Sequence, residues 1–199
     1  MPHIMISSRK RKHKMKHLTT IALMLSLGTA SVYAQQTPIK MTFSGTGAPS
    51  AVDLKYPNTN NGEEILAGSG TLGSFTFRMV EATASAPQPS STCTGLYFQT
   101  VAGAGLFRFQ DGSLLNVTIT QGGDCIDFVH LVAHCTWTFK INGGTGRFQN
   151  ASGSLTLTET SAPALFDAMN SPVFFSESGA FTGTISGLPA NDDSQDGQR

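Results

Sequence analysis

The chain has 199 residues, 39% of them apolar, and its thirteen Lys and Arg formally cancel thirteen Asp and Glu. That neutrality is uneven along the chain: six of the basic residues precede residue 17, and every acidic residue lies after Ala34. The portion beyond Ala34, with thirteen acidic against seven basic residues, stands at −6, which argues against nucleic acid or an anionic membrane surface as a partner.

Residues 9–17, RKRKHKMKH, and 18–34, LTTIALMLSLGTASVYA, follow the basic, apolar, then small-residue order of an export signal, with cleavage expected near Ala34. A complete short signal also begins at Met15, so translation is expected to start there as an alternative. The apolar run is shorter and more interrupted than the ~20 residues of a spanning helix. An uncleaved anchor is the other reading. The expected product is secreted or periplasmic, with no membrane association after cleavage. Its 165 residues beyond Ala34 suit one domain with a real core.

Strand patterns come next in chain order. In IKMTFSG (39–45), Ile39, Met41 and Phe43 alternate with polar residues, and YPNTNNGEE (56–64) reads as loop. In LGSFTFRMVE (72–81), Phe75, Phe77 and Met79 share a face. ATASAPQPSSTCTG (82–95) has the composition of a loop, and GLYFQTV (95–101) offers room for an extra strand. Residues 103–120 form a hairpin whose register can be worked out. A two-residue loop would place Phe107 and Phe109 on the face opposite Leu115 and Val117. A three-residue loop, Gln110–Gly112, instead pairs Phe107 with Leu115 and puts Gly112 at the left-handed position.

AHCTWTFKI (133–141) places Cys135, Trp137, Phe139 and Ile141 on one face. ASGSLTLTE (151–159) does the same for Gly153, Leu155 and Leu157, and SGAFTGTISG (178–187) for Phe181 and Ile185. Between them, ALFDAMNSP (164–172) has room for a helical turn. LPANDDSQDGQR (188–199) lacks an apolar pattern and reads as a disordered tail. Seven clear strands and room for an eighth, joined neighbour to neighbour, predict an all-β domain over 35–187. The expected fold is a single eight-stranded antiparallel up-and-down barrel, with inward Gly153 and Gly183 permitting sharp coiling.

Gly143-Gly144-Thr145-Gly146 is followed by alternation and not by a helix, which removes a phosphate-loop reading. A tight corner is expected there, with Gly143, Gly144 and Gly146 shaping the turn and Phe148 plugging the barrel end. The segment GGTGRFQNASGSLTL (143–157) resembles the Gly-Gly-Thr-Gly-x-Phe segment of the allene oxide cyclase and dirigent barrels. GAFTGTISG (179–187) is similar to the closing strand of bacterial members of that superfamily. The resemblance implies an eight-stranded barrel, often a homo-trimer, with an apolar cavity. It places no catalytic residue of the family on this chain.

Three cysteines lie beyond Ala34, and an exported chain would oxidise two of them. Three pairings are possible: Cys125–Cys135 is the expected one, because both flank one hairpin, and Cys93–Cys125, which would join two loops, is the alternative. The grouping Cys125, Asp127, His130, His134 and Cys135 has metal-ligand residue types. On a strand, however, residues four apart are ~13 Å distant, so no metal site is expected there, and no cofactor elsewhere.

Glu81, Glu159 and Glu177 lie in or beside strands, and Glu81 and Glu159 follow the apolar faces inward by alternation, which makes those two the weak catalytic candidates. Their apparent position at strand ends predicts that solvent reaches them. Phe75, Phe77, Phe107, Trp137, Phe139 and Phe181 form an inward aromatic row that either fills the barrel or lines a ligand cavity. Asn116 and Asn150 each begin a glycosylation sequon. The leading functional expectation is non-catalytic: binding of a small apolar molecule, or a structural module. The alternatives are an isomerase or cyclase acting on an apolar, lipid-like or phenolic substrate, and a trimeric surface interaction protein.

Overall fold

A computed structural model describes residues 36–189. The expected export signal and residues 190–199 of the expected tail lie outside the described residues. Eight strands run in chain order: β1 (Thr37–Pro49), β2 (Thr59–Gly70), β3 (Phe75–Ala84), β4 (Leu96–Phe109), β5 (Leu114–Asp127), β6 (Val132–Gly144), β7 (Ser152–Phe166) and β8 (Pro172–Ser186). Each pairs antiparallel with its sequence neighbour, and β1 pairs with β8 through Met41 opposite Phe181 to close the barrel. The all-β eight-stranded barrel expected from the alternation is the fold of this protein.

Two local expectations change. The segment 95–101 is the first half of β4, so it adds no strand. The eighth strand is β2, which begins inside the segment read as loop. Its inward positions, Gly62, Glu64, Leu66, Gly68 and Gly70, contain one apolar side chain, while Ile65 faces outward and is 52% exposed. Alternation therefore gives no signal there. Residues 164–172 hold no helical turn either. β7 continues to Phe166, and a tight turn follows in which the Asp167 carboxylate accepts hydrogen bonds from the backbone N–H groups of Met169 and Ser171, each at 2.8 Å.

The β4–β5 turn matches its derivation. Phe107 stands opposite Leu115, the Phe109 N–H donates to the Ser113 carbonyl at 3.0 Å, and Gly112 has φ +80°.

One end of the barrel is packed solid. Eight strands enclose an interior narrow enough for side chains to fill, and here aromatic rings fill it. Phe181 contacts the rings of Phe43, Phe75, Phe77, Phe107 and Phe139, with centroids 4.9–6.3 Å apart. Below them, the β6–β7 corner folds over the opening. Gly143 (φ +76°) and Gly146 (φ +58°) let the chain turn into a single 3-10 turn, Gly146–Phe148. Phe148 is fully buried, 4.7 Å from the Phe109 ring. Arg147 seals the corner from outside. It lies over both rings, pairs with Asp111 at 3.2 Å and donates to the Leu72 carbonyl. The plug expected from the glycine segment is in place.

The disulfide expectation is corrected: Cys93 bonds Cys125, and Cys135 is free and buried. A bulge at Thr120 is the reason. On β5, Leu115, Val117 and Ile119 face in, but the register slips between Ile119 and Gln121. Beyond it Asp124 stands opposite Cys135 and faces in, while Cys125 stands opposite the outward-facing His134. Cys125 and Cys135 thus point to opposite faces of the sheet. The crosslink instead ties the β3–β4 loop to β5.

Non-reducing peptide mapping should show Cys93 joined to Cys125 and a free Cys135 thiol. Replacing both bridged cysteines by Ser should lower stability by about 3–4 kcal/mol, as chain-entropy reasoning gives for a separation of 32 residues, readable in urea titrations. Phe181→Ala, which empties the aromatic hub, should cost about 3–5 kcal/mol by the same measurement.

Candidate functional site

The opposite end of the barrel is hollow. A cavity of about 740 Å³ lies among the inward side chains and opens past Pro49, Phe98, Ile126, Phe128 and Phe175. Its floor is one layer to which seven strands contribute: Glu64 from β2, Glu81 from β3, Thr100 from β4, Asp124 from β5, Cys135 and Trp137 from β6, Glu159 from β7 and Glu177 from β8. β1 contributes space instead of a side chain. A Cβ on Gly47 would run into the Glu177 carboxylate, so glycine at that position leaves room for it.

Two bulges bring polar groups into this layer. The one at Thr120 turns Asp124 inward. On β4, Phe107 and Phe109 face in, but the register with β3 slips between Ala82 and Thr83, leaving Val101 unmatched and Thr100 inside. The Trp137 indole N–H donates to the Thr100 hydroxyl at 2.7 Å, and that hydroxyl donates to Glu81 Oε2 at 3.4 Å. Bulges characteristically re-aim side chains at functional sites.

Glu64, Glu81, Glu159 and Glu177 are each at most 8% exposed. The expectation that solvent reaches Glu81 and Glu159 is therefore corrected. β3 runs three residues beyond Glu81 and β7 seven beyond Glu159, so neither sits at a strand end. Several of the acidic oxygens have no hydrogen-bond partner: Glu64 Oε2, both oxygens of Glu159, Glu177 Oε2 and Asp124 Oδ1. No Lys, Arg or His lines the cavity among the described residues.

Burial without a counter-charge pushes these acids toward their neutral form. Burial first, then the neighbouring carboxylates, raises Glu159 to about 9, and burial followed by Asp124 raises Glu177 to about 8. Burial lifts Asp124 to about 6 against an opposing hydrogen bond with Cys135. Glu64 and Glu81 move well up for the same leading reason, with Thr100 holding Glu81 back in part. The Cys135 thiol is likewise raised by burial and by the adjacent acids, so it stays protonated and is a poor nucleophile.

Of the inward aromatic row, Trp137 alone lines the cavity. Phe75, Phe77, Phe107, Phe139 and Phe181 are buried in the packed end and reach no part of it. The floor therefore draws on Glu81, Glu159 and Trp137, all legible by alternation. Glu64, Thr100 and Asp124 were missed, and Glu177, one of the three strand-side acids noted, was not placed inward. Glu64 lies in a strand without an apolar pattern, and the bulges displace Thr100 and Asp124 from simple alternation. Glu177 did carry a signal: it stands two residues before Gly179 and four before Phe181, on their inward face. The metal-like grouping in the β5–β6 hairpin is not assembled. Cys125 is in the disulfide, and His130 is exposed and bonded to Asp127 at 2.6 Å.

No protein-family model matches this chain, and no curated protein matches it.

The titration of the floor has a definite sign. Carboxyls whose folded pKa lies above the unfolded value of ~4.3 bind more protons folded than unfolded, so stability is fully present below that value. It is lost as pH rises toward 8–9, through the values for Glu177 and Glu159. The lowered acids, Asp53, Asp111 and Asp127, held down chiefly by hydrogen bonds from Lys55, Ser113 and His130, titrate below this window. Thermal melts of metal-free protein should therefore give a Tm several degrees lower at pH 9 than at pH 5, at about 2–4 °C per kcal/mol. Glu159→Gln should flatten that slope.

Proposed function

We propose that this protein is an exported barrel that binds one small, largely apolar molecule in the open end of its interior. One observation carries the reading: the barrel is packed solid at one end and hollow at the other. The cavity has the size of small-molecule sites, and its mouth, where Pro49, Phe98, Ile126, Phe128 and Phe175 stand among polar Ser50, Asn60 and Asn61, leads to a floor of convergent polar groups. A ligand with an apolar body and a polar end, inserted polar end first, matches that gradient. Carboxyls kept neutral by burial donate as well as accept hydrogen bonds, and the Trp137–Thr100–Glu81 chain fixes the geometry of one of them.

Membership of the allene oxide cyclase and dirigent superfamily is part of this proposal, supported by the glycine corner and the neighbour-to-neighbour barrel order. Export is supported by the basic and apolar leader and by the Cys93–Cys125 bridge, which suits an oxidising compartment. No helix among the described residues is long and apolar enough to cross a membrane. Trimeric assembly belongs to the resemblance alone.

A second reading, an isomerase or cyclase acting on an apolar substrate, is favoured by the burial of Glu81 beside the cavity. Its carboxyl is oriented by Thr100 and sheltered from bulk water, which are the conditions for proton transfer to a bound molecule.

Native mass spectrometry of residues 35–199, purified without reductant from an oxidising compartment, tests both. An adduct that leaves on denaturation is the expected result. Bare protein that also fails to take up an apolar fluorescent probe would overturn the binding reading. If the recovered molecule changes on incubation with the protein and is unchanged with Glu81→Gln, the enzyme reading replaces the binder.

A further inference from the structure

Within the floor, three glutamates are set apart from the rest. Glu64, Glu159 and Glu177 each present a carboxylate oxygen within 4.8 Å of the other two. They come from β2, β7 and β8, strands separated in the barrel wall only by β1 and brought together by its closure. Gly47 on β1 supplies the gap between them, since any side chain there would occupy the position of the Glu177 carboxylate.

Proximity of acids is not itself a site. A second feature is the state of their oxygens. Glu64, Glu159 and Glu177 are 94–95% buried, yet Glu64 Oε2, Glu177 Oε2 and both oxygens of Glu159 have no hydrogen-bond partner. Buried polar atoms in folded proteins are nearly always paired, and each exception calls for an explanation. Here four orphan oxygens converge from three strands, and among the described residues no Lys, Arg or His lines the cavity to meet them.

We propose that Glu64, Glu159 and Glu177 bind one hard divalent cation, of the Ca²⁺ or Mn²⁺ class, at the floor of the cavity. Oxygen donors on a common Ca²⁺ lie about 2.3–2.6 Å from it, so two of them are separated by at most about 5 Å. The observed spacing falls inside that limit. An all-carboxylate donor set selects hard cations over zinc or copper, which favour imidazole and thiolate. Water entering through the cavity supplies the remaining oxygen ligands. Cys135 lies beside the acids, and its sulfur is a soft donor that hard cations do not select.

The ion shares the floor with the polar end of the proposed ligand, and the two readings fail separately. Co-purified organic molecule without cation uptake, or the reverse, separates this inference from the proposed function.

The test begins with protein treated with EDTA and exchanged into chelator-free buffer. Mn²⁺ and Ca²⁺ are then titrated in separate calorimetric experiments. The expected result is one ion per chain and a rise in Tm on addition. Glu64→Gln and Glu177→Gln, which keep side-chain size, should each weaken uptake about tenfold or more. Glu63→Gln, on the outer face beside Arg78, should leave it unchanged. Near-ultraviolet circular dichroism of the buried Trp137 reports whether each variant is folded. If the Gln variants fail to fold, crystals of the unaltered protein soaked in Mn²⁺ decide, with an anomalous peak expected among the three carboxylates. Absence of stoichiometric uptake at millimolar Mn²⁺ and Ca²⁺ overturns the proposal. So does equal uptake by a folded Glu64→Gln, a peak elsewhere, or a floor that takes tetramethylammonium and neither metal ion.

Discussion

Closure of the sheet between β1 and β8 is the constraint on which the rest of the molecule depends. An open sheet would leave two unpaired edges and an apolar face without a partner. Pairing over Thr37–Gly47 and Phe175–Ile185 removes both edges and turns the apolar face into an interior. The same ladder sets Phe43 against Phe181 at the packed end, at 5.0 Å between ring centroids. At the other end it brings the acids of β2, β7 and β8 around the small residues of β1. Core and cavity floor are thus two products of one pairing register.

Along that interior the environment changes abruptly. At the packed end Phe77 and Phe107 each meet Phe181 edge to face, and all three rings are buried. One layer further on, the inward positions of five strands carry acids. Carboxyls so placed are costly as anions, and where no counter-charge is present burial shifts them toward the neutral form, with few compensating hydrogen bonds. Thr100 and Trp137 supply the one continuous polar chain. The arrangement is expensive for a merely structural core, where apolar residues of the same volume would pack without orphaned oxygens. That cost is the main physical reason to regard the acidic layer as functional.

Strict alternation marks the part of the molecule that is legible in the sequence. The β4–β5 turn was derivable to the residue, because only a three-residue loop keeps Phe107 and Leu115 on one face. The corner from Gly143 to Phe148 and the inward course of Glu81 and Glu159 were legible for the same reason. The failures share a cause as well. β2 was hidden because its inward positions are glycines, one acid and a single leucine, and the bulges at Val101 and Thr120 reverse the in–out parity of the residues beyond them. Extrapolating β5 from Val117 and Ile119 puts Cys125 inside, beside Cys135; one extra residue puts it outside, within reach of Cys93. Period-two reasoning has no means of locating such an insertion without the partner strand.

The separation of the two ends has a consequence for how such a protein changes over time. Phe181, Phe107 and the Phe148 plug hold the fold at a distance from the acidic layer, and the loops framing the cavity include the longer connections 50–58 and 85–95, the second held by the Cys93–Cys125 crosslink. Substitutions around the mouth or floor therefore reshape the cavity without loosening the aromatic hub. The architecture is a fixed chassis with an exchangeable head, and descendants of one ancestor could diverge widely in what they recognise while keeping the same closed end.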